Sequence, residues 1–123
     1  MKKLLLIPLL TLGLSACGDP ASNAESVAVE FCENIASADF DMNDIASSNV
    51  TSAFQGLYEM NSDMYKRNIS SKINCSVKNI EEVKSEKSYK VAFENMNTVL
   101  VSFDEKLDSF KVQRQWQMTS DLF

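Results

Sequence analysis

Along this chain the spacing of apolar residues changes once, and that change limits the fold more than any other feature. Up to Ile69 apolar side chains recur at steps of three and four; beyond it they recur at steps of two. The first spacing puts side chains on one stripe of an α-helix, the second on one face of a β-strand. Ala24, Val27, Ala28, Phe31, Cys32 and Ile35 form the first stripe, with Glu25, Glu30, Glu33 and Asn34 largely opposite. They predict a helix from Asn23 to about Ser37, with Ser22 and Glu25 at capping-box spacing at its start. Ala53, Phe54, Leu57, Tyr58, Met64 and Tyr65 predict a second long helix reaching about Arg67, weakened at Gly56. The Asp-, Asn- and Ser-rich segment between them predicts turns, with one short helical turn around Asn43 to Ala46, because these side chains compete for backbone hydrogen bonds.

Strands follow. Ile73, Cys75 and Val77 alternate with Lys72, Asn74, Ser76 and Lys78, and Tyr89, Val91 and Phe93 alternate with Lys90 and Glu94. Thr98 to Phe103 is apolar on both sides, which suits a more central strand. Phe110, Val112, Trp116 and Met118 alternate with Lys111, Gln113, Gln115 and Gln117. The breaks "VKSEKS", "NMN" and "DEKLD" are polar and hairpin-sized, so the strands predict an antiparallel meander. Helices first and strands afterwards predict an α+β fold.

The run from Leu4 to Ala16 is too short to cross a bilayer, which takes about twenty apolar residues. With Lys2 and Lys3 before it, it has the form of a signal-peptide core. It ends in Leu14-Ser15-Ala16-Cys17, which resembles the lipobox of bacterial lipoproteins. The alternatives are an ordinary secretion signal with a chance cysteine, or an internal helix. The resemblance implies removal of residues 1–16 and acylation of Cys17. Residues 17–23 then form the lipidated cysteine and a polar tether, and residues 24–123 a single domain. Six extended residues reach at most about 20 Å, so the domain is expected close to the membrane. Several acyl chains on one residue anchor firmly, where one is marginal. In many Gram-negative lipoproteins an aspartate directly after the cysteine retains the protein in the inner membrane. Gly18 stands there instead, which leans towards the periplasmic face of the outer membrane.

Charge is more informative by position than in total. Nine acids and no Lys or Arg lie between Cys17 and Tyr65, and loss of Lys2 and Lys3 takes the formal charge from −5 to −7. Such a total predicts repulsion from nucleic acid and from anionic headgroups. The acidic half is either a face for a cationic partner or a solvated face that aids solubility. There is no histidine, which removes histidine triads and the commonest metal ligand. Once Cys17 is committed to lipid, Cys32 and Cys75 remain. In an oxidising compartment an even pair favours a disulfide over a reactive thiol or a redox centre. Two cysteines without histidine make a poor metal site.

The stretch "VAVEFCENIASADF", a polar helical segment and a meander ending "FKVQRQW" together resemble small bacterial lipoproteins of unknown function with a cystatin-like fold. These are similar to the nuclear-transport-factor-2-like superfamily. The resemblance implies N-terminal helices packed on a curled antiparallel sheet of about four strands, often leaving a cone-shaped pocket. Some members of that superfamily are enzymes using Asp, His or Tyr in the cone, some bind small molecules, and many only mediate protein contacts. Ala38 stands before Asp39 where many relatives carry glycine.

The motifs of phosphate loops, hydrolase elbows and zinc proteases do not occur. Asp39, Asp41 and Asp44 could be imagined around calcium, but the EF-hand glycine and closing glutamate are missing, and solvated turn acids are expected. The triplets "NVT", "NIS" and "NCS" are read as products of high Asn and Ser content. The expected function is a non-catalytic envelope module that contacts another protein or the cell wall, with no metal, cofactor or nucleic acid. The alternative is a small-ligand binder, in which Arg114 would hold an anion in the cone and Trp116 would form an apolar wall. Against it stand a structural pair for Arg114, a bulge that turns it outward, or a stem that snorkels to water. A distant third is an enzyme built on a carboxylate or on Tyr58, Tyr65 or Tyr89.

Overall fold

The computed structural model describes residues 19–116, and there the first apolar stripe folds as helix α1, Pro20–Ala36. The helix starts three residues earlier than its spacing suggests. Asp19 is the N-cap, accepting from the Ala21 N–H at 3.1 Å and from the Ser22 hydroxyl at 2.9 Å. Pro20 takes the first helical position, where its missing N–H costs nothing and its φ is already suitable. The expected capping box at Ser22 is therefore not used, and residues 20–23, expected as tether, are helical. Cys17, residues 1–16 and Met118 lie outside the described residues. At the other end Ala38 is left-handed (φ 60°), and the Asp39 N–H reaches back to the Asn34 carbonyl at 2.8 Å. That closure normally uses glycine, which has no Cβ to clash there.

The next segment is a single hydrogen-bonded turn, with the Met42 carbonyl accepting from the N–H groups of Ile45 and Ala46 at 3.0 and 2.9 Å. Ala46 leaves it to form a parallel bridge with Val112. The expected second helix is two pieces: α2, Ser48–Met60, and α3, Ser62–Tyr65, followed by a π-helical turn, Lys66–Ser70. The break is at Asn61, which is extended (φ −162°, ψ 98°) and whose side chain accepts from the Met64 N–H at 3.0 Å to cap α3.

Four strands, β1 Asn74–Lys84, β2 Ser88–Asn95, β3 Thr98–Asp104 and β4 Ser109–Trp116, form an antiparallel meander in sequence order. The fold is α+β, with the helices N-terminal to the strands and packed on one side of the sheet. Tyr89, Val91, Phe93, Val99, Val101, Phe110 and Val112 alternate onto that side and are buried against Ala24, Ala28, Phe31, Cys32 and Ile35 of α1. Cys32 and Cys75 are joined, with their Cα atoms 5.7 Å apart, which fixes the C-terminal half of α1 to the start of β1. On β4 the open edge is covered where the Ser47 N–H donates to the Val112 carbonyl (2.9 Å) and the Val112 N–H donates to the Ile45 carbonyl (2.8 Å).

One irregularity decides what β4 presents. Val101 faces Val112, yet the next pair is Leu100 with Arg114, so Gln113 is an extra residue on β4. A bulge of this kind reverses the facing of every later side chain. Gln115, opposite Val99, now turns inward, where it accepts from Asn97 Nδ2 at 3.0 Å and donates to the Val50 carbonyl at 3.2 Å. Arg114 and Trp116 turn to the outer face.

Candidate functional site

The break at Asn61 does more than end a helix. It sets Leu57 and Met60 of α2 beside Met64 of α3, and the three line a groove with Asn61, Tyr65, Asn68 and Ile69. Its volume is about 410 Å³. Met60 is 83% exposed, Met64 49% and Leu57 37%, which is unusual for side chains of this size gathered in one place. Methionine is unbranched and polarisable, so such a lining can adapt its shape to an apolar occupant.

Below this lining the structure is firm. Tyr65 is buried and donates from its hydroxyl to the Ile35 carbonyl at 2.7 Å. Its ring stands edge-on to Tyr58 (centroids 5.4 Å apart) and to Phe40 (5.9 Å), and Phe40 and Tyr58 are 5.8 Å apart. Burial pushes the Tyr65 phenol well above its ordinary value, so it stays protonated and acts as a fixed donor. In the adjoining turn the Ser70 hydroxyl is buried without a hydrogen-bond partner among the described residues.

The other singled-out tyrosines are also engaged in packing or surface contacts. Tyr58 belongs to the three-ring cluster. Tyr89 is raised by burial first and then by Glu82, whose carboxylate accepts from its hydroxyl at 3.3 Å. The space between α1 and the sheet, where a ligand cone would lie, is taken up by Phe31, Ile35, Phe93, Val91, Val99 and Val101.

Arg114 is exposed on the outer face of the sheet, with its guanidinium carbon 5.2 Å from the centre of the Trp116 ring. Lys90 Nζ lies 4.8 Å from the same ring. Alternation alone puts Arg114 in one row with Phe110 and Val112; the bulge at Gln113 breaks that row. Neither Arg114 nor Trp116 lines the apolar groove or the two shallow acidic clefts along α1. Those clefts hold Glu25, Glu30 and Glu33, and Glu30, Asp41 and Asp44, respectively. Asp39 uses a carboxylate oxygen on the Asp41 N–H at 3.3 Å. Among the described residues no three Cys, Asp or Glu side chains gather closely enough to hold a metal ion, and no helix is long and apolar enough to cross a membrane.

Sequence reasoning did not find the groove. Leu57 and Met64 fit the helical spacing and read as one stripe, Met60 falls outside it, and the extended residue Asn61 is what brings the three together. No family model, curated protein or solved structure matches the chain.

Proposed function

We propose that this chain is a lipid-anchored envelope protein whose domain is a non-catalytic interaction module of the cystatin-like kind, docking an apolar segment of a partner protein in the groove between α2 and α3. The observation that carries the docking is the exposure of Leu57, Met60 and Met64 along one groove over a rigid aromatic floor. The anchor is supported by Lys2, Lys3, the short apolar run and Leu14-Ser15-Ala16-Cys17, and the outer membrane by Gly18.

Two experiments test the reading. Metabolic labelling with a fatty-acid analogue tags the wild type and not Cys17→Ser; equal labelling of both removes the anchor. A photo-crosslinking residue at Met60 gives a discrete protein adduct in intact envelopes, and Met64→Asp in the same chain abolishes it. An adduct that survives Met64→Asp unchanged removes the groove from the reading.

A further inference from the structure

We infer that the outer face of the sheet is the side on which the domain rests against anionic lipid headgroups of the membrane that carries its anchor. The inference deepens the anchored reading and depends on it.

Strand pairing places the charges. Lys84 lies opposite Ser88, Lys111 opposite Ser102, and Lys90 and Arg114 lie on either side of Leu100. All four therefore share the face turned away from the helices, together with Trp116, opposite Thr98. Three acids share it: Glu81, opposite Lys90, Glu94, one step beyond the inward Phe93, and Asp104, opposite Ser109 at the end of β3, whose carboxylate accepts from the N–H groups of Lys106 and Leu107 in the following turn. The helix layer is of the other sign, carrying all nine acids from Asp19 to Asp63 and no cation before Lys66. Because helices and strands segregate into layers, an asymmetry along the sequence has become an asymmetry between two faces.

Total charge then gives the wrong answer for a surface. Screening at physiological salt cuts off exposed charges beyond about 8 Å. A headgroup plane touching the sheet feels Lys84, Lys90, Lys111 and Arg114 strongly, while the helix acids lie about a further layer, roughly 10 Å, away. The centre of the patch also suits an interface. Trp116 is part-exposed beside part-exposed Leu100, and an indole prefers the boundary between headgroups and acyl chains. Lys90 and Arg114 converge on that one ring, and among the described residues neither has a carboxylate partner, so an anion relieves their mutual repulsion.

The tether makes weak attraction sufficient. Asp19 already caps α1, so in the sequence one residue, Gly18, stands between Cys17 and the cap. Two residues reach about 7 Å, so the domain is held in the headgroup field and contact with it is effectively intramolecular. What the charges must supply is orientation, and the two faces differ in sign.

Trp116 is the single tryptophan of the chain, so its emission reports on this face alone. The full lipidated protein is reconstituted in vesicles of phosphatidylcholine, with or without phosphatidylglycerol, each carrying nitroxide-labelled lipid. On the anionic vesicles Trp116 emission shifts to the blue and is quenched, and high salt reverses both. Lys84→Glu with Lys111→Glu, which leaves both cations at the ring in place, returns quenching to its neutral-vesicle level. Equal emission and quenching on the two vesicles, in protein that carries the acyl label, overturns the inference and leaves the anchored reading standing. Absence of the acyl label overturns both. A blue shift produced by a soluble anionic glycan or acidic peptide, and not by anionic vesicles, assigns the face to that partner and overturns the inference as well.

Discussion

Replacing Tyr65 by phenylalanine removes one oxygen from the floor of the groove, and the structure fixes how much that should cost. The hydroxyl donates to the Ile35 carbonyl at 2.7 Å in a site where the residue is 1% exposed. A carbonyl orphaned there would cost about 1–3 kcal/mol. Ile35 is not orphaned, because its carbonyl also accepts from the Ala38 N–H at 3.2 Å. The ring contacts to Tyr58 and Phe40 do not involve the hydroxyl. The loss should therefore be that of one neutral hydrogen bond, about 1 kcal/mol, or roughly 4–8 °C in Tm for a domain of this size. Tyr65→Ala, which also empties the ring's volume, should cost about 3–5 kcal/mol. Urea unfolding followed by circular dichroism measures both. A phenylalanine variant as stable as the wild type would show that the bond contributes nothing. A loss of about 3 kcal/mol would show that the Ala38 contact does not satisfy the carbonyl. The same variant has a signature in pH. Above the ordinary tyrosine value of 10.0 the unfolded chain releases the phenolic proton while folded Tyr65 keeps it. The unfolded state then binds fewer protons, so stability is full below about pH 10 and falls above it, by at most about 1.4 kcal/mol per pH unit for Tyr65. Tyr89 is raised as well and contributes in the same direction. The alkaline fall should thus be shallower in Tyr65→Phe than in the wild type, and equal slopes would contradict the burial argument.

Three further outcomes follow from the fold. Cys32→Ala with Cys75→Ala should destabilise by about 4 kcal/mol, the chain-entropy value for a separation of 43 residues, and a shift of the urea midpoint under reducing conditions should match it in the wild type. Glu86, exposed and left-handed at φ 57°, should accept glycine with a gain of about 0.5–1 kcal/mol, whereas Ala38→Gly should be near neutral because its methyl packs against the core. Deleting Gln113 should remove the bulge and leave Arg114 and Trp116 on the outer face, because Arg114 would then directly follow inward Val112, still opposite Leu100; the variant should keep a cooperative urea transition, and loss of that transition would mean that Gln113 is not a simple insertion into a regular strand.

Most of the fold was legible because periodicity reports facing wherever an element is regular. Tyr89, Val91 and Phe93 alternate without interruption, and each is buried. Where backbone geometry changes within an element, periodicity misleads. Phe110, Val112 and Trp116 look like one row, yet an inserted residue is defined only relative to the partner strand, and a single strand's pattern carries no register. Asn61 leaves the helical spacing intact on both sides, so neither the break nor the groove it opens shows in the apolar pattern. The start of α1 was present in the letters, as Asp19 followed by Pro20, but proximity to Cys17 made it read as tether. Segregation of charge between faces was hidden for a different reason: it needs the layer assignment before the sum over residues has a meaning.

The Cys32–Cys75 bond has a mechanical consequence. Everything between those residues, including α2, α3, the π-helical turn and the groove, lies in a covalently closed ring. Tension applied at the N-terminus enters through α1 and crosses the sulfurs directly into β1, bypassing the ring. The groove segment is thus off the load path. It can loosen around an occupant while both of its ends stay clamped, and a pull on the N-terminus does not reel it out. β1 gains the complementary benefit: as an edge strand with three register shifts it is the easiest to peel, and the bond rivets it to the longest helix.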